Sequence, residues 1–111
     1  MSRVQLALNV SDLDAAIDFY SKLFGATPAK VRPGYANFAI ADPPLKLVLI
    51  EGVDTPGTLN HLGVEVASTD EVSAADARLR AVGLATALED EVACCFAVQD
   101  KVWVEIGRAH V

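Results

Sequence analysis

Gln5-Leu6-Ala7-Leu8-Asn9-Val10 matches His61-Leu62-Gly63-Val64-Glu65-Val66 position by position at an offset of 56 residues, with Leu6/Leu62, Ala7/Gly63, Leu8/Val64 and Val10/Val66 keeping residue type. Each copy runs on into an amphipathic segment that ends at a glycine, Gly25 in the first and Gly83 in the second. This internal repeat constrains the fold more than any single motif does. It implies two copies of one supersecondary unit packed about a shared core, with Gln5 and His61 at equivalent points.

The local patterns give each copy the same plan. Residues 3 to 10 alternate as a strand, with Val4, Leu6, Leu8 and Val10 on one face and Arg3, Gln5, Ala7 and Asn9 on the other. Gln5 therefore faces away from the bulk aliphatic side. Ser11-Asp12-Leu13-Asp14 has the form of a capping box, and Leu13, Ala16, Ile17, Tyr20, Leu23 and Phe24 make a helical stripe. Thr27 to Arg32, Tyr35 to Ala41 and Leu45 to Glu51 read as strands separated by Pro33-Gly34 and Asp42-Pro43-Pro44. The first unit is thus βαβββ over residues 1–51, and residues 52–58 are a linker.

The second unit, 59–104, opens with Leu59 to Val66. Ser68-Thr69-Asp70-Glu71 offers another capping box, and Val72, Ala75, Leu79 and Val82 recur at helical spacing. Leu84 to Glu91 reads as a strand, Ala93 to Val98 as a strand or ordered loop, Gln99-Asp100-Lys101 as a turn, and Val102-Trp103-Val104 as the start of another strand. The expected fold is α+β, two paired βαβββ units, the second lacking its last strand and so leaving Val102 to Val104 with unpaired backbone groups. The remaining residues, 105–111, read as an artefact. A common short-read sequencing adapter translates in one frame as Ile-Gly-Arg-Ala-His-Val followed by a stop, which makes Val104 the last genuine residue.

Composition narrows the chemistry. A net charge of -6 with no basic stripe argues against a nucleic-acid partner. The longest apolar run, Leu47 to Ile50, is far too short for a membrane span, and no signal-peptide pattern follows Met1, so the expected location is the cytoplasm. The two cysteines are adjacent, an arrangement that suits reduced thiols better than a disulfide.

Two constellations carry chemistry. Taken alone, His61 reads as a structural strand histidine. Paired with Gln5 by the repeat, it offers an imidazole nitrogen and an amide oxygen suited to Fe(II), Mn(II) or Ni(II), although a third ligand would be needed. Cys94-Cys95 reads either as two small buried fillers or as a pair of thiolates for a soft ion such as As(III) or Cd(II). Adjacent strand residues point to opposite faces, so one ion could reach both sulfurs only if the backbone there leaves extended geometry. Asp12, Asp14 and Asp18 are explained by a solvated helix start, Glu89-Asp90-Glu91 by a charged turn, and Tyr35, Phe38 and Trp103 by packing or by the wall of a cavity.

Val4 to Leu13, leading to Phe19-Tyr20-Ser21-Lys22-Leu23-Phe24-Gly25, resembles the opening of the vicinal oxygen chelate superfamily of glyoxalases, bleomycin-resistance proteins and extradiol dioxygenases. Lys46 to Leu49, Leu59 to Val66, Cys94-Cys95-Phe96 and Gln99 to Val104 look like its cadmium-induced, arsenic-inducible branch. That resemblance covers residues 1 to 104. It implies an Fe(II)-dependent dioxygenase that uses O2 to break the carbon-arsenic bond of a trivalent organoarsenical, with Gln5 and His61 as metal ligands and Cys94 and Cys95 holding arsenic. The branch's third ligand, a glutamate on the final strand, is missing here, so the chain as written is expected to be inactive. A homodimer is compatible with this reading. Three others stay open: a glyoxalase-type metal-dependent isomerase or lyase, a non-catalytic module that binds Cd(II) or a drug, and a core fragment in which Gln5 and His61 never meet.

Overall fold

The computed structural model describes residues 2–52, 55–94, 97–104 and 109–110, from residue 88 onward by the backbone alone. The elements in order are β1 (Arg3–Val10), α1 (Leu13–Phe24), β2 (Lys30–Arg32), β3 (Tyr35–Ile40), β4 (Leu45–Glu51), β5 (Leu59–Glu65), α2 (Thr69–Ala81), β6 (Thr86–Cys94), β7 (Ala97–Val104) and β8 (Ala109–His110). They form one sheet in the order β2-β3-β4-β1-β5-β8-β7-β6. That order is its own mirror when β5 to β8 stand for β1 to β4. Within each unit the first strand pairs in parallel with the fourth, β1 with β4 and β5 with β8. At the centre β1 and β5 run antiparallel, and Leu6 pairs with Leu62, its own equivalent in the repeat. The pseudo-twofold axis passes through that pair, so the fold is the paired βαβββ architecture that the repeat requires.

Burial shows why the strands alternate as they do. Leu6, Leu8 and Val10 turn to a core of Leu13, Ala36, Phe38, Ile40, Leu47 and Leu49 under α1. The opposite face of the same sheet carries a smaller cluster of Ala7, Tyr35 and Val48, with Ile50 against it. Helix α1 packs on β3 and β4 and α2 on β6 and β7, so neither covers the β1–β5 seam. Val4, Leu62 and Val64 accordingly remain between 41% and 45% exposed. Among the described residues no helix is long and apolar enough to cross a membrane.

The helix ends differ in detail from the sequence reading. Asp12, not Ser11, caps α1, its carboxylate accepting from the Ala15 amide at 3.1 Å. A charged acceptor suits the positive end of the helix better than a hydroxyl one residue earlier. Glu51, at the end of β4, accepts a further orphan amide, that of Leu13, at 2.6 Å. The second helix start is capped by Ser68 as expected, its hydroxyl accepting from the Glu71 amide, while the Glu71 carboxylate reaches one residue past the cap to accept from the amide of Ala67. Val82, placed on the buried stripe by spacing, is instead the C-cap and 67% exposed, because the helical periodicity ends one residue before it.

Two further differences lie in the second unit. Gln99-Asp100-Lys101 is not a turn but part of β7, which pairs with β6 from Cys94↔Ala97 to Thr86↔Val104 around a register shift. The polar residues suggested a turn, whereas an antiparallel partner supplies their backbone bonds. The slot of the missing strand is not empty either. Ala109 and His110 form a two-residue β8 there, against seven residues in the equivalent β4. Trp103 and Val104, expected to be unpaired, are bonded to His110 and Ala109. Open backbone edges on β5 and β7 recruit whatever segment lies in reach, which accounts for a strand too short to show a pattern of its own.

Candidate functional site

Gln5 and His61 meet. The β1–β5 register sets Gln5 opposite Gly63 and Ala7 opposite His61, so the two polar residues are diagonal neighbours across the seam. Diagonal positions on paired strands are about 7–8 Å apart, a gap that long side chains span. Their direct partners are the smallest residues available, a buried glycine and an alanine with 0% exposure, which leaves the space between them clear. Gln5 Nε2 and His61 Nε2 lie 3.3 Å apart, with Gln5 8% and His61 7% exposed. The reading in which the two never meet is therefore excluded.

His61 is the end of a polar chain. The β1–β5 register shifts after Ala7, which faces His61, while the next pair is Leu8 with Leu59, so Asn60 is the extra residue of a β-bulge. The bulge turns the Asn60 side chain to its neighbour, and its Oδ1 lies 2.7 Å from His61 Nδ1. Asn60 Nδ2 donates to Asn9 Oδ1 at 3.0 Å, and Asn9 Nδ2 donates to Thr58 Oγ1 at 2.9 Å. Thr58 Oγ1 in turn donates to the Thr55 carbonyl. Asn9, 1% exposed, also ties its backbone to Thr58 and Gly57. Burying a polar side chain that deeply is tolerable only when both ends of its amide are bonded, as they are here.

Neither asparagine was singled out from sequence. The available signal was asparagine in strands, a residue depleted there, at two places on the repeated seam. The bulge that brings Asn60 into play leaves no local sequence mark.

Beside Gln5 the same face carries an ionic cluster. Glu65 Oε1 accepts from Arg3 Nε at 2.6 Å, and Glu65 Oε2 lies 3.1 Å from Lys46 Nζ, linking β5, β1 and β4. Burial alone would push the Glu65 carboxyl up, but hydrogen bonds and charge from Arg3 and Lys46 together hold it below its ordinary value. Tyr35 is buried on this face, its hydroxyl accepting from Asn37 Nδ2 at 2.9 Å, whereas Phe38 lies in the α1 core. Asp18 pairs with Lys22 on the surface and Asp12 caps α1, which accounts for two members of the acidic group without a ligand. Cys94 is the last residue of β6 and Cys95 lies outside the described residues, so the arrangement of the thiol pair lies outside them too. Among the described residues no group of three His, Cys, Asp or Glu side chains converges.

Comparison with known proteins places this geometry. The family model described as glyoxalase/bleomycin resistance protein/dioxygenase superfamily matches residues 3–101. Cadmium-induced protein CadI of Mycobacterium tuberculosis (strain ATCC 25618 / H37Rv) is 70% identical over 104 residues, 94% of this chain and 68% of that protein. A trivalent organoarsenical cleaving enzyme of Thermomonospora curvata is 69% identical over 105 residues, covering 94% of this chain and 70% of its own length. Among solved structures, the 2,3-dioxygenase LapB from Pseudomonas sp. KL28 superposes with a TM-score of 0.72 at 23% identity over 97% of this chain and 39% of that one. An extradiol ring-cleaving dioxygenase from B. fuscum gives 0.66 at 20% identity, over 97% and 31% of the two chains. At those identities the structural likeness speaks for the fold alone.

Proposed function

The chain belongs to the glyoxalase/bleomycin resistance protein/dioxygenase superfamily, and on that footing we propose that it is the larger part of a cytoplasmic Fe(II)-dependent dioxygenase that cleaves the carbon-arsenic bond of trivalent organoarsenicals. The observation that carries the reading is the 3.3 Å approach of Gln5 to His61 at the pseudo-twofold seam. Ligand atoms in neighbouring positions of an octahedral ion with bonds of about 2.1 Å stand about 3.0 Å apart, so the observed separation suits a divalent metal after a modest adjustment. His61 would offer Nε2 and Gln5 its amide oxygen once the amide rotates by half a turn, which exchanges O and N in place. The donor set fits the ion but is one ligand short among the described residues.

Fe(II), when bound, supplies the activation of dioxygen. This chain's residues do the rest. The low exposure of Gln5 and His61 excludes bulk water from their meeting point, and Ala7 and Gly63 leave room beside it. Cys94 and Cys95 are assigned to hold the arsenic, because soft thiolates select it over harder ions and a reducing cytoplasm keeps them as thiols. The relative named an organoarsenical cleaving enzyme supports that substrate class. We further read residues 1–51 and 59–104 as the two units joined by the 52–58 linker, and 105–111 as an artefactual tail. On that reading the final strand would bring a carboxylate ligand, and among the described residues its slot holds the two of β8.

The test compares this chain with one continued after Val104 by the last strand of the Thermomonospora relative. With Fe(II), O2 and methylarsenite, the continued chain should release inorganic arsenite and the present one should not, and Cys94→Ser or Cys95→Ser should abolish release. Equal release by the continued chain and its serine variants would favour a glyoxalase-type lyase. Stoichiometric Cd(II) binding without oxygen consumption would favour a sequestering module.

A further inference from the structure

The hydrogen-bond chain that ends on His61 has a direction. A carbonyl oxygen can only accept, so at Thr55 the Thr58 hydroxyl must be the donor. Its proton being used there, Thr58 Oγ1 meets Asn9 as an acceptor, which makes Nδ2 the Asn9 atom facing it and turns Asn9 Oδ1 toward Asn60. That oxygen takes the proton of Asn60 Nδ2, so Asn60 presents Oδ1 to His61 Nδ1. An amide oxygen accepts, and His61 Nδ1 must therefore carry the hydrogen.

We propose that Thr58, Asn9 and Asn60 are positioning residues that lock the neutral His61 in its Nδ1–H tautomer, leaving the Nε2 lone pair aimed at Gln5 and the site. The device starts at a backbone carbonyl in the loop before β5 and reaches the imidazole through three side chains. Each amide in it has one admissible orientation, and the β-bulge at Asn60 is what brings the last one against the ring. An unrestrained neutral histidine in water favours the opposite, Nε2–H form, so the chain acts against the ring's own preference. The consequence for catalysis rests on the metal reading above, because only an unprotonated Nε2 can bind an ion without first shedding a proton. The tautomer itself does not rest on it.

The experiment is long-range proton–nitrogen NMR of the uniformly 15N-labelled, metal-free 111-residue chain at about pH 8, above the ordinary histidine range. The chain has two histidines, and the His61 ring signals are those that vanish in His61→Gln. The expected spectrum shows Nδ1 protonated and Nε2 bare, by at least about tenfold. An Nε2–H ring in the unaltered chain overturns the proposal. Thr58 is exposed, and Thr58→Val keeps its shape while removing the hydroxyl. That variant frees the Asn9 amide to turn and should cut the tautomer ratio by about five- to tenfold, the worth of one hydrogen bond, while Thr58→Ser restores it. A Thr58→Val spectrum identical to that of Thr58→Ser would overturn the origin of the lock at Thr55. Failure of the continued chain to bind Fe(II) with the Nδ1–H form intact would count against the metal reading alone, and Fe(II) binding by that chain when its metal-free ring is Nε2–H would count against this proposal alone.

Discussion

Asn9→Ala isolates what the polar chain contributes to stability. Asn9 is 1% exposed, and its side chain makes two hydrogen bonds, accepting from Asn60 at 3.0 Å and donating to Thr58 at 2.9 Å. Each is worth about 1 kcal/mol net, and a donor left unmet in a half-buried place costs about 1 kcal/mol more. Asn60 Nδ2 is left in that position, while the Thr58 hydroxyl keeps its bond to Thr55 and reaches solvent. The expected loss is therefore about 2–3 kcal/mol, which lowers a urea midpoint by about 1–2 M at the slopes usual for small domains. The assay is equilibrium urea unfolding followed by far-UV circular dichroism for Asn9→Ala, Asn60→Ala and the double variant. The two single losses should overlap by about 1 kcal/mol, the energy of the bond they share. A loss below about 0.5 kcal/mol for Asn9→Ala, with purely additive effects, would refute the argument that these buried amides are paired with each other.

Glu65→Gln removes the carboxylate that joins Arg3 and Lys46. Because the folded carboxyl is held below its ordinary value, its contribution is present above the ordinary carboxylate range and is lost as pH falls through the lower folded value. The unaltered chain should exceed the variant by about 1 kcal/mol at neutral pH after allowance for solvent screening, with the gap closing in acid; a gap constant with pH would contradict the assignment. Phe38→Ala, at a side chain with 0% exposure in the core under α1, should cost about 3–5 kcal/mol in the same unfolding assay, and a cost below about 1 kcal/mol would mean that this core is not close-packed.

The repeat made most of the architecture legible. Equivalence of Gln5 and His61, together with the strand alternation, was sufficient to predict that they converge, because an antiparallel seam on a pseudo-twofold axis brings equivalent positions to one place. What sequence could not supply was register. A one-residue slip would have reversed every side chain, and the bulge at Asn60, a slip of that kind confined to one residue, turned an apparently outward asparagine into the partner of His61. Capping shows the same limit on a smaller scale, since Ser11 and Asp12 both fit an N-cap and only the strand-to-helix geometry selects Asp12. Gln99 to Lys101 looked like a turn because polar residues mark a reversal no more surely than a paired strand, and this stretch lies within β7, opposite β6.

The central claim is that Gln5 and His61 are two ligands of one metal centre. Anaerobic Fe(II) titration of the chain continued by its relative's last strand, read by calorimetry alongside its Gln5→Leu and His61→Ala variants, tests it most directly. The continued chain should bind one equivalent of Fe(II), with affinity reduced at least about 10- to 100-fold in either variant. Fe(II) bound equally well by all three would contradict it.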